Sequence, residues 1–323
     1  MSMMVTKSIV LPSVDSAWRH ALQLVFNEGL DVEGVSDPLS VGSSFGKKPR
    51  SFREIVGATI EIENPRNRLI NSTARPLNTA YLLGNTVWTF LGSNKVSQIA
   101  FYNRRGWDFT DDQETVAAAP GKRIFQSDIG DQFSATAEIL KTDSTSRRAV
   151  ISIFTPEDTG SAHRDCSCLL TIQFLIRQGK LICVAGMRSQ SIAMVFPYDA
   201  FLLTMLHEAM SVSTGFELGP LILHYGSLHY YHDEIETVTG ILEEQASLTE
   251  PMPIMEKSPL EMRDFLATID DLVRNGKSIK KVKSPDIYWQ TFACALEHSV
   301  VQRKHRSHLP RELCNSWYSS LIE

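Results

Sequence analysis

Residues 165–199, DCSCLLTIQFLIRQGKLICVAGMRSQSIAMVFPYD, are the stretch from which the fold of this chain can be argued. The run from Leu169 to Ile176 is mostly apolar, Gln178-Gly179-Lys180 interrupts it, and Leu181 to Ala185 is apolar again. Two apolar runs of strand length around a glycine-containing turn predict a hairpin of two buried strands.

The hairpin places reactive groups at neighbouring strand ends. Cys168 comes just before the first strand, and Arg188 and Ser189 follow the end of the second. A thiolate nucleophile needs positive charge nearby, which Arg188 would supply. The planar fork of an arginine is also typical of phosphate binding. The alternative for Cys168 is a buried structural cysteine, the usual role of a cysteine in an apolar strand.

Length and composition indicate an ordinary globular protein. The chain has 323 residues, of which 43% are hydrophobic and 21% charged. We expect one main domain, with an N-terminal helix and loop extension (1–49), a core (50–240) and a helical C-terminal part (241–323). The net charge of -5 gives no general attraction to nucleic acid, and no apolar run has the length of a membrane span.

The cysteines indicate a reducing compartment. Their number is odd and no signal-peptide pattern opens the sequence, so we expect a cytoplasmic protein. Cys166 and Cys168 form a C-x-C pair without a second pair or a nearby His cluster, which argues against a zinc site. The five are Cys166, Cys168, Cys183, Cys294 and Cys314.

Hydrophobic periodicity and turn residues predict the remaining elements. The predicted helices are residues 14–30, 78–91, 131–140, 201–212, 259–273 and 288–301. The predicted strands are residues 55–62, 149–154 and 221–231, the last with a break at its glycine, and residues 36–48 are predicted to form a loop.

Several short motifs in order resemble the thymidylate synthase family, whose members add a one-carbon unit to C5 of a pyrimidine nucleotide. In that family the nucleophilic cysteine is followed by Gln-Phe and then by Arg-Ser, and Cys168, Gln173-Phe174 and Arg188-Ser189 have the same spacing. The competing Cys166 is two residues too far from Gln173. The resemblance covers roughly residues 50–235.

Two further motifs resemble the cytidylate hydroxymethylase branch of this family. The segment Gly226 to Tyr231 resembles its Gly-Ser-Leu-His-x-Tyr, and Asp199 stands where thymidylate synthases have Asn. An ionised carboxylate accepts hydrogen bonds, which suits the 4-amino group of cytosine, and a protonated one also donates to N3. The sequence therefore favours CMP or dCMP over a uracil nucleotide.

The resemblance implies roles for further residues. His229 and Tyr231 alternate on a strand, so they share a face on which they would hold the sugar, although an aromatic-rich strand is more often core. Arg147 and Arg148 would reach the phosphate of a partner subunit, although a solvated turn is the alternative. The implied set is Cys168, Asp199 and Asn85 for catalysis, Arg188, Ser189, Arg147, Arg148 and Arg50 for phosphate, His229 and Tyr231 for sugar, Asp199 and Gln173 for the base, and Ser191 and Trp88 for folate.

Three departures from the family pattern weaken the expectation of full activity. Asn85 stands where the family has Glu, Pro120 where it has Tyr, and Ser191 where it has Asp. An amide cannot transfer protons as a carboxylate does. Either another acid serves, with Asp111, Asp112 and Glu208 as candidates, or turnover is poor or absent. Val195 also replaces a usual glycine and would narrow the folate site.

The resemblance thus implies an α/β (α+β) fold with a large mixed β-sheet covered by helices, and a homodimer in which two sheets stack. The implied activity is 5-hydroxymethylation of CMP or dCMP with 5,10-methylenetetrahydrofolate, in which Cys168 adds to C6 of the base. The alternative is a non-catalytic homologue that binds a pyrimidine nucleotide as a regulator or partner subunit, which the three departures favour.

Overall fold

The computed structural model describes residues 8–34, 50–160, 163–245, 250–284, 286–303, 308–310, 313–314 and 316–321. Within them the strands are β1 (Ser8–Leu11), β2 (Leu30–Val32), β3 (Phe52–Ile62), β4 (Val150–Ser152), β5 (Leu169–Arg177), β6 (Lys180–Ser191) and β7 (Glu217–Tyr231). The α-helices are α1 (Val14–Glu28), α2 (Thr79–Phe90), α3 (Val96–Tyr102), α4 (Pro120–Phe125), α5 (Gln132–Thr142), α6 (Pro156–Gly160), α7 (Phe196–Thr214), α8 (Ile235–Glu243), α9 (Arg263–Arg274) and α10 (Ile287–Gln302). Short 3-10 helices cover Arg104–Phe109, His232–Glu234 and Ser319–Leu321.

The strands form one mixed sheet in the order β1-β3-β7-β6-β5-β4, with β2 also paired to β3. Strand β6 runs parallel to β7 and antiparallel to β5, while β3 is antiparallel to β7. The expected large mixed sheet with helices is therefore confirmed. The edge strands β1 and β2 were not predicted from the sequence.

The predicted hairpin is confirmed as β5 and β6, and both strands are longer than predicted. Gln178 and Gly179 connect them with φ angles of 53° and 77°. Two successive left-handed residues are typical of the tight turn whose twist matches a β-hairpin. This turn lies at the far end of the hairpin from Cys168 and Arg188.

Helices cover one face of the hairpin, where alternate residues are buried, and the opposite face is left half-buried or exposed. The central helix α7 is buried along most of its length and packs against β6 and β7. One hydrophobic cluster joins α1, the sheet and α7 to α9 and α10. The C-terminal helices therefore share the core of residues 50–240.

Helix ends follow local capping chemistry. Ser13 caps α1 by accepting a hydrogen bond from Ser16, and Asn78 and Asp131 cap α2 and α5 in the same way. Helix α7 begins at Phe196, earlier than predicted, because Pro197 is pre-organised for a first turn. Asp199 consequently lies in the first turn of α7.

Strand β7 runs through Gly226 without the predicted break. The irregularity lies instead in β3, at Gly57, whose φ is 73°. Gly226 is needed for close approach, because a Cβ there would lie 2.8 Å from the carbonyl oxygen of Arg188. The missing side chain therefore lets β7 lie against β6 where β6 presents Arg188.

The loop predicted for residues 36–48 lies outside the described residues. Among the described residues, no helix combines the length and apolar character required to cross a bilayer.

Candidate active site

A cleft of about 250 Å³ opens at the ends of β5 and β6. This is close to the lower end of the range of about 300–1,000 Å³ that small-molecule pockets occupy. Four residues expected from the sequence line it, namely Asn85, Trp88, Cys168 and Asp199. Helix α2, the segment before β5 and the start of α7 supply its walls.

Cys168 is not sealed in the core, because its side chain is exposed and lines the cleft. Arg188 lies directly behind it. The Arg188 backbone N–H donates to the Cys168 carbonyl over 2.9 Å, and its guanidinium donates to the carbonyls of Ser167 and Cys166, each over 2.9 Å. These bonds tie the Arg188 guanidinium to the short segment that carries the thiol, so the two groups lie on neighbouring strand ends as the spacing predicted.

The electrostatic balance at Cys168 differs from the expectation that Arg188 would favour the thiolate. The protein around the thiol withdraws it from bulk water and raises its pKa to about 11, although it is exposed to the cleft. The Arg188 charge lowers the pKa, but Asp199 and Asp165 raise it further. The thiol is therefore mostly protonated at neutral pH before a ligand binds.

Asp199 and Gln190 form a polar pair in the cleft. Gln190 is almost completely buried and donates from Nε2 to Oδ2 of Asp199 over 3.1 Å. Burial raises the pKa of Asp199 to about 6, against the lowering effect of this hydrogen bond. The carboxyl group is therefore poised between its neutral and ionised forms near physiological pH. Gln190 was not singled out in the sequence.

His229 and Tyr231 share a face of β7, as strand alternation predicted, with ring centroids 5.1 Å apart. Burial lowers the pKa of His229 to about 4, so the imidazole is neutral at pH 7. The Arg50 guanidinium lies 3.7 Å from the Tyr231 ring centroid and forms ion pairs with Asp233 and Glu234. These side chains do not line the cleft. His229 and Tyr231 lie on β7, the strand beside β6, and the ion pairs of Arg50 lie just beyond its end.

Arg147 and Arg148 are exposed on the turn before β4 and do not reach the cleft of their own chain. Val150 pairs with Gln173, five residues along β5 from Cys168, which is about 17 Å at a rise of about 3.3 Å per residue. A role for this pair at the phosphate therefore requires a second subunit.

Gln173 is not a base-binding residue of this cleft, contrary to the expectation from spacing. Its side chain lies on the half-buried face of β5 and donates to the Arg147 carbonyl over 3.0 Å. Cys168 precedes β5, and the strand is irregular between Leu169 and Thr171, so the spacing of five residues does not bring the Gln173 side chain and the thiol to one site. Gln173 instead fixes the backbone that carries the exposed arginine pair.

The remaining expected residues lie around the cleft. Ser189 is half-buried and follows Arg188 in β6, paired with Ser227 of β7. The Ser191 hydroxyl and the Trp88 indole nitrogen are buried polar atoms without a hydrogen-bond partner in the described structure. Such atoms indicate where a ligand's polar groups would bind, because unpaired buried polar groups are unfavourable. Trp88 lines the cleft and Ser191 does not, and the folate contacts of both residues stay predictions.

None of the acids proposed to replace the carboxylate at position 85 lines the cleft. Glu208 is buried in an ion pair with Arg68. Asp112 accepts hydrogen bonds from Thr115 and Glu114, which hold its pKa far below the ordinary value. Asp111 pairs with His163 at 2.9 Å.

Besides Asp199, the cleft is lined by the carboxyl group of Asp165, which was not predicted from the sequence. Its Oδ2 accepts from the Ala118 N–H over 3.2 Å, and burial raises its pKa to about 6. Its place three residues before Cys168 was visible in the sequence, but the coil conformation that turns it toward the cleft was not. Within the described chain, no group of three or more His, Cys, Asp or Glu side chains is arranged to hold a metal ion.

A model of the thymidylate synthase family matches residues 46–284. The chain belongs to the thymidylate synthase family. The match extends beyond the roughly 50–235 of the motif resemblance and includes α9, so the family fold takes in part of the C-terminal region.

Individual relatives are distant. The deoxyuridylate hydroxymethyltransferase of Bacillus phage SP01 is 25% identical over 278 residues, covering 76% of this chain and 73% of that protein. The protein of the same name from Delftia phage PhiW-14 is 24% identical and covers 73% and 72%. A thymidylate synthase of Listeria monocytogenes serotype 4a is 31% identical, but the match spans only 43% of this chain and 44% of that protein.

The fold is shared with a solved family member. The thermostable thymidylate synthase A from Bacillus subtilis superimposes with a TM-score of 0.60 at 20% identity, covering 76% of this chain and 91% of that one. The expected thymidylate synthase-like α/β architecture is therefore confirmed.

Proposed function

We propose that this protein is a 5-hydroxymethyltransferase of a cytidine monophosphate, CMP or dCMP. The observation that supports it best is the Asp199 carboxyl group, which lies in the same cleft as Cys168 and has a pKa of about 6. Below that pKa a carboxylic acid presents one donor and one acceptor, which complement N3 and the 4-amino group of cytosine. Above it the carboxylate still accepts from the 4-amino group.

The proposed first step is addition of the Cys168 thiolate to C6 of the base, after the thiol has given its proton to solvent. The S–C6 bond forms as the C5=C6 π bond breaks, and the electron pair moves through C4 toward N3, which takes the proton from Asp199. Placing an acid where charge develops lowers the barrier to such an addition. Protonation of Asp199 also lowers the pKa of Cys168, because it removes one of the negative charges that disfavour the thiolate.

The co-substrate proposed is 5,10-methylenetetrahydrofolate, which supplies a one-carbon unit at the methylene oxidation level. Trp88 and Ser191 would hold it through their buried, unpaired polar atoms. Tyr81 on α2, whose ring contacts that of Tyr198 edge to face at 5.0 Å, adds an aromatic wall. Val195, 44% exposed at the start of α7, lies at the rim of the same space.

We also propose that two copies of the chain stack through the uncovered sheet face. Half-buried Val184, Ile182 and Leu175 and exposed Val150 give this face an apolar character. In such a dimer each chain would lend Arg147 and Arg148 to the phosphate of its partner. Mixing a Cys168→Ser chain with an Arg147→Ala/Arg148→Ala chain should restore about a quarter of the wild-type sites, since random pairing of two chains yields about half mixed dimers with one intact site each.

A uracil nucleotide is the competing substrate, because the two phage relatives are named deoxyuridylate hydroxymethyltransferases. Affinities for CMP, dCMP and dUMP should be measured by calorimetry, with loss of tritium from 5-tritiated nucleotide as the readout of chemistry. We expect a cytosine nucleotide to be preferred at least about tenfold, corresponding to about 1.4 kcal/mol, and Asp199→Asn to reverse the preference.

The outcomes separate the candidate functions. Equal preference in the wild type and in Asp199→Asn contradicts the assignment of the base. If the wild type prefers dUMP, its substrate is the nucleotide after which the two phage relatives are named. Nucleotide binding without tritium release, with folate present, supports a non-catalytic homologue, which the residues at positions 85, 120 and 191 would explain.

A further inference from the structure

We propose that Asp165 is the proton-transfer residue of this cleft and takes the part that a glutamate at position 85 has in other family members. The inference rests on the proposed function, because it concerns the C5 chemistry of the same bound pyrimidine. It assigns a catalytic role to a residue that the motif resemblance left without one.

The first support is position. Asp165 lines the cleft together with Asn85 and Cys168, so a carboxyl group is present in the same cleft as the amide that replaced the usual one. Asp165 and Asp199 both act electrostatically on the Cys168 thiol and on the Tyr81 hydroxyl. The two carboxyl groups therefore act on the same enclosed space.

The second support is that Asp165 is not engaged in a structural ion pair within the described residues. Arg123 is the cation that lowers the Asp165 pKa most, but it forms its ion pair with Asp158. The Arg188 guanidinium donates to backbone carbonyls. The hydrogen bond of Asp165 in the described structure is the one its Oδ2 accepts from Ala118. Oδ1 has no hydrogen-bond partner among the described residues, so it has capacity to bind water or substrate.

The third support is acidity. Burial raises the pKa of Asp165 to about 6, and Asp158 adds to the rise, while the Ala118 N–H, Arg123 and Arg188 oppose it. A group that titrates near neutral pH both gives and takes protons efficiently. Asp111 and Asp112, which are partnered on the surface, and Glu208, which is paired in the core, do not combine this position with this acidity.

The step assigned to Asp165 can be isolated in the absence of folate. After Cys168 adds to C6 and N3 is protonated, the Asp165 carboxylic acid gives a proton to C5. The resulting carboxylate then removes the original hydrogen from C5, the C6–S bond breaks, and the N3 proton returns to Asp199. The nucleotide, Cys168 and both carboxyl groups end as they began, and the net result is exchange of the C5 hydrogen with solvent.

The experiment follows loss of the C5–H NMR signal of CMP and dCMP in D2O, without folate. The variants are Asp165→Asn, the conservative Asp165→Glu, Cys168→Ser, and Asp128→Asn as an exposed carboxylate control. Nucleotide affinity and circular dichroism are measured for each. We expect exchange in the wild type and in Asp128→Asn, none in Cys168→Ser, and a fall on the order of 100-fold in Asp165→Asn with nucleotide affinity retained.

A rescue separates chemistry from folding. Asp165→Glu should recover part of the exchange, and Asn85→Glu introduced into the Asp165→Asn chain should recover it as well, because it returns a carboxylate to the other side of the cleft. Exchange at the wild-type rate in Asp165→Asn overturns the assignment of Asp165 and leaves the proposed function standing. A wild type that neither binds nor exchanges a pyrimidine nucleotide overturns the proposed function, and the role of Asp165 with it.

Discussion

The buried amide of Gln190 donates a hydrogen bond to the Asp199 carboxylate over 3.1 Å, so the residue that selects the base in our proposal is itself positioned by its neighbour in β6. The amide oxygen of Gln190 is buried without a partner in the described structure. The amide nitrogen also donates to the Ser191 carbonyl over 3.4 Å, so Asp199 is its shorter and only side-chain partner among the described residues, and loss of the amide should act on Asp199 first.

Gln190→Met should raise the pKa of Asp199 above its present value of about 6, because the hydrogen bond that favours the ionised form is removed. The pH at which the preference for CMP over dUMP declines should rise accordingly. The ratio of the two affinities is the measurement, since both nucleotides carry a phosphate that titrates near pH 6 and its effect cancels. An unchanged ratio at every pH would show that Gln190 does not control the carboxyl group.

Alkylation of Cys168 should be slow at neutral pH and should accelerate about tenfold per pH unit until about pH 11, because only the thiolate reacts. Arg188→Met should slow it further at every pH below 11, since the nearby charge lowers the thiol pKa. Fragment-ion mass spectrometry after iodoacetamide treatment distinguishes Cys168 from Cys166, which share one tryptic peptide, and exposed Cys314 serves as an internal reference. A plateau near pH 8 would contradict the raised pKa.

Glu208→Gln should destabilise the fold by about 3–5 kcal/mol, because it leaves the buried Arg68 guanidinium without its counter-charge. Unfolding in urea measures the free energy. Replacing both partners, as Arg68→Met/Glu208→Leu, should be less damaging than the single change. Glu138→Gln, which breaks an exposed pair with Lys141, is the control and should alter stability little. C5 exchange by the folded Glu208→Gln protein should persist, and its loss would return Glu208 to the list of candidate acids.

Gly226→Ala should destabilise the sheet by about 1–3 kcal/mol and weaken nucleotide binding. The new Cβ would lie 2.8 Å from the Arg188 carbonyl oxygen, so β6 must shift where it presents Arg188. The matched control is Gly186→Ala, two residues before Arg188 in β6. Its Cβ would lie 3.4 Å from the Thr171 hydroxyl, an ordinary contact distance. Thermal unfolding and the affinity for CMP relative to cytidine are the measurements. Equal effects of the two changes would show that the close approach at Gly226 is not important.

The elements that local sequence determines were predicted well. The hairpin of β5 and β6 and the starts of the helices predicted at residues 14, 78 and 131 depend on residues that are neighbours along the chain. The boundary of α7 was missed because Phe196-Pro197-Tyr198-Asp199 has no helical stripe of its own. Its apolar residues are buried on all sides, so periodicity gives no signal there.

The site was predicted where motif spacing and strand geometry agree. Cys168, Asp199, Asn85 and Trp88 meet in one cleft, whereas Gln173 does not line it and bonds to the Arg147 carbonyl. Cys168 precedes β5, and the strand is irregular between Leu169 and Thr171, so the spacing alone does not fix the direction of Gln173 relative to the thiol. Asp165 was missed because it precedes β5 in irregular structure, where no repeating pattern fixes the direction of a side chain. Only the folded arrangement of α2, the loop at Ala118 and β5 places it in the cleft.

The pairing of β3 with β7 has a consequence for how this protein is made. Phe52 lies beside Tyr231 and Ile62 beside Leu221, so the middle of the sheet joins an early part of the chain to a late one. During synthesis, the edge of β3 that pairs with β7 therefore stays unpaired until β7 has left the ribosome. Long-range pairings of this kind fold slowly and expose aggregation-prone edges, so we expect biogenesis of this protein to depend on chaperones that bind nascent chains.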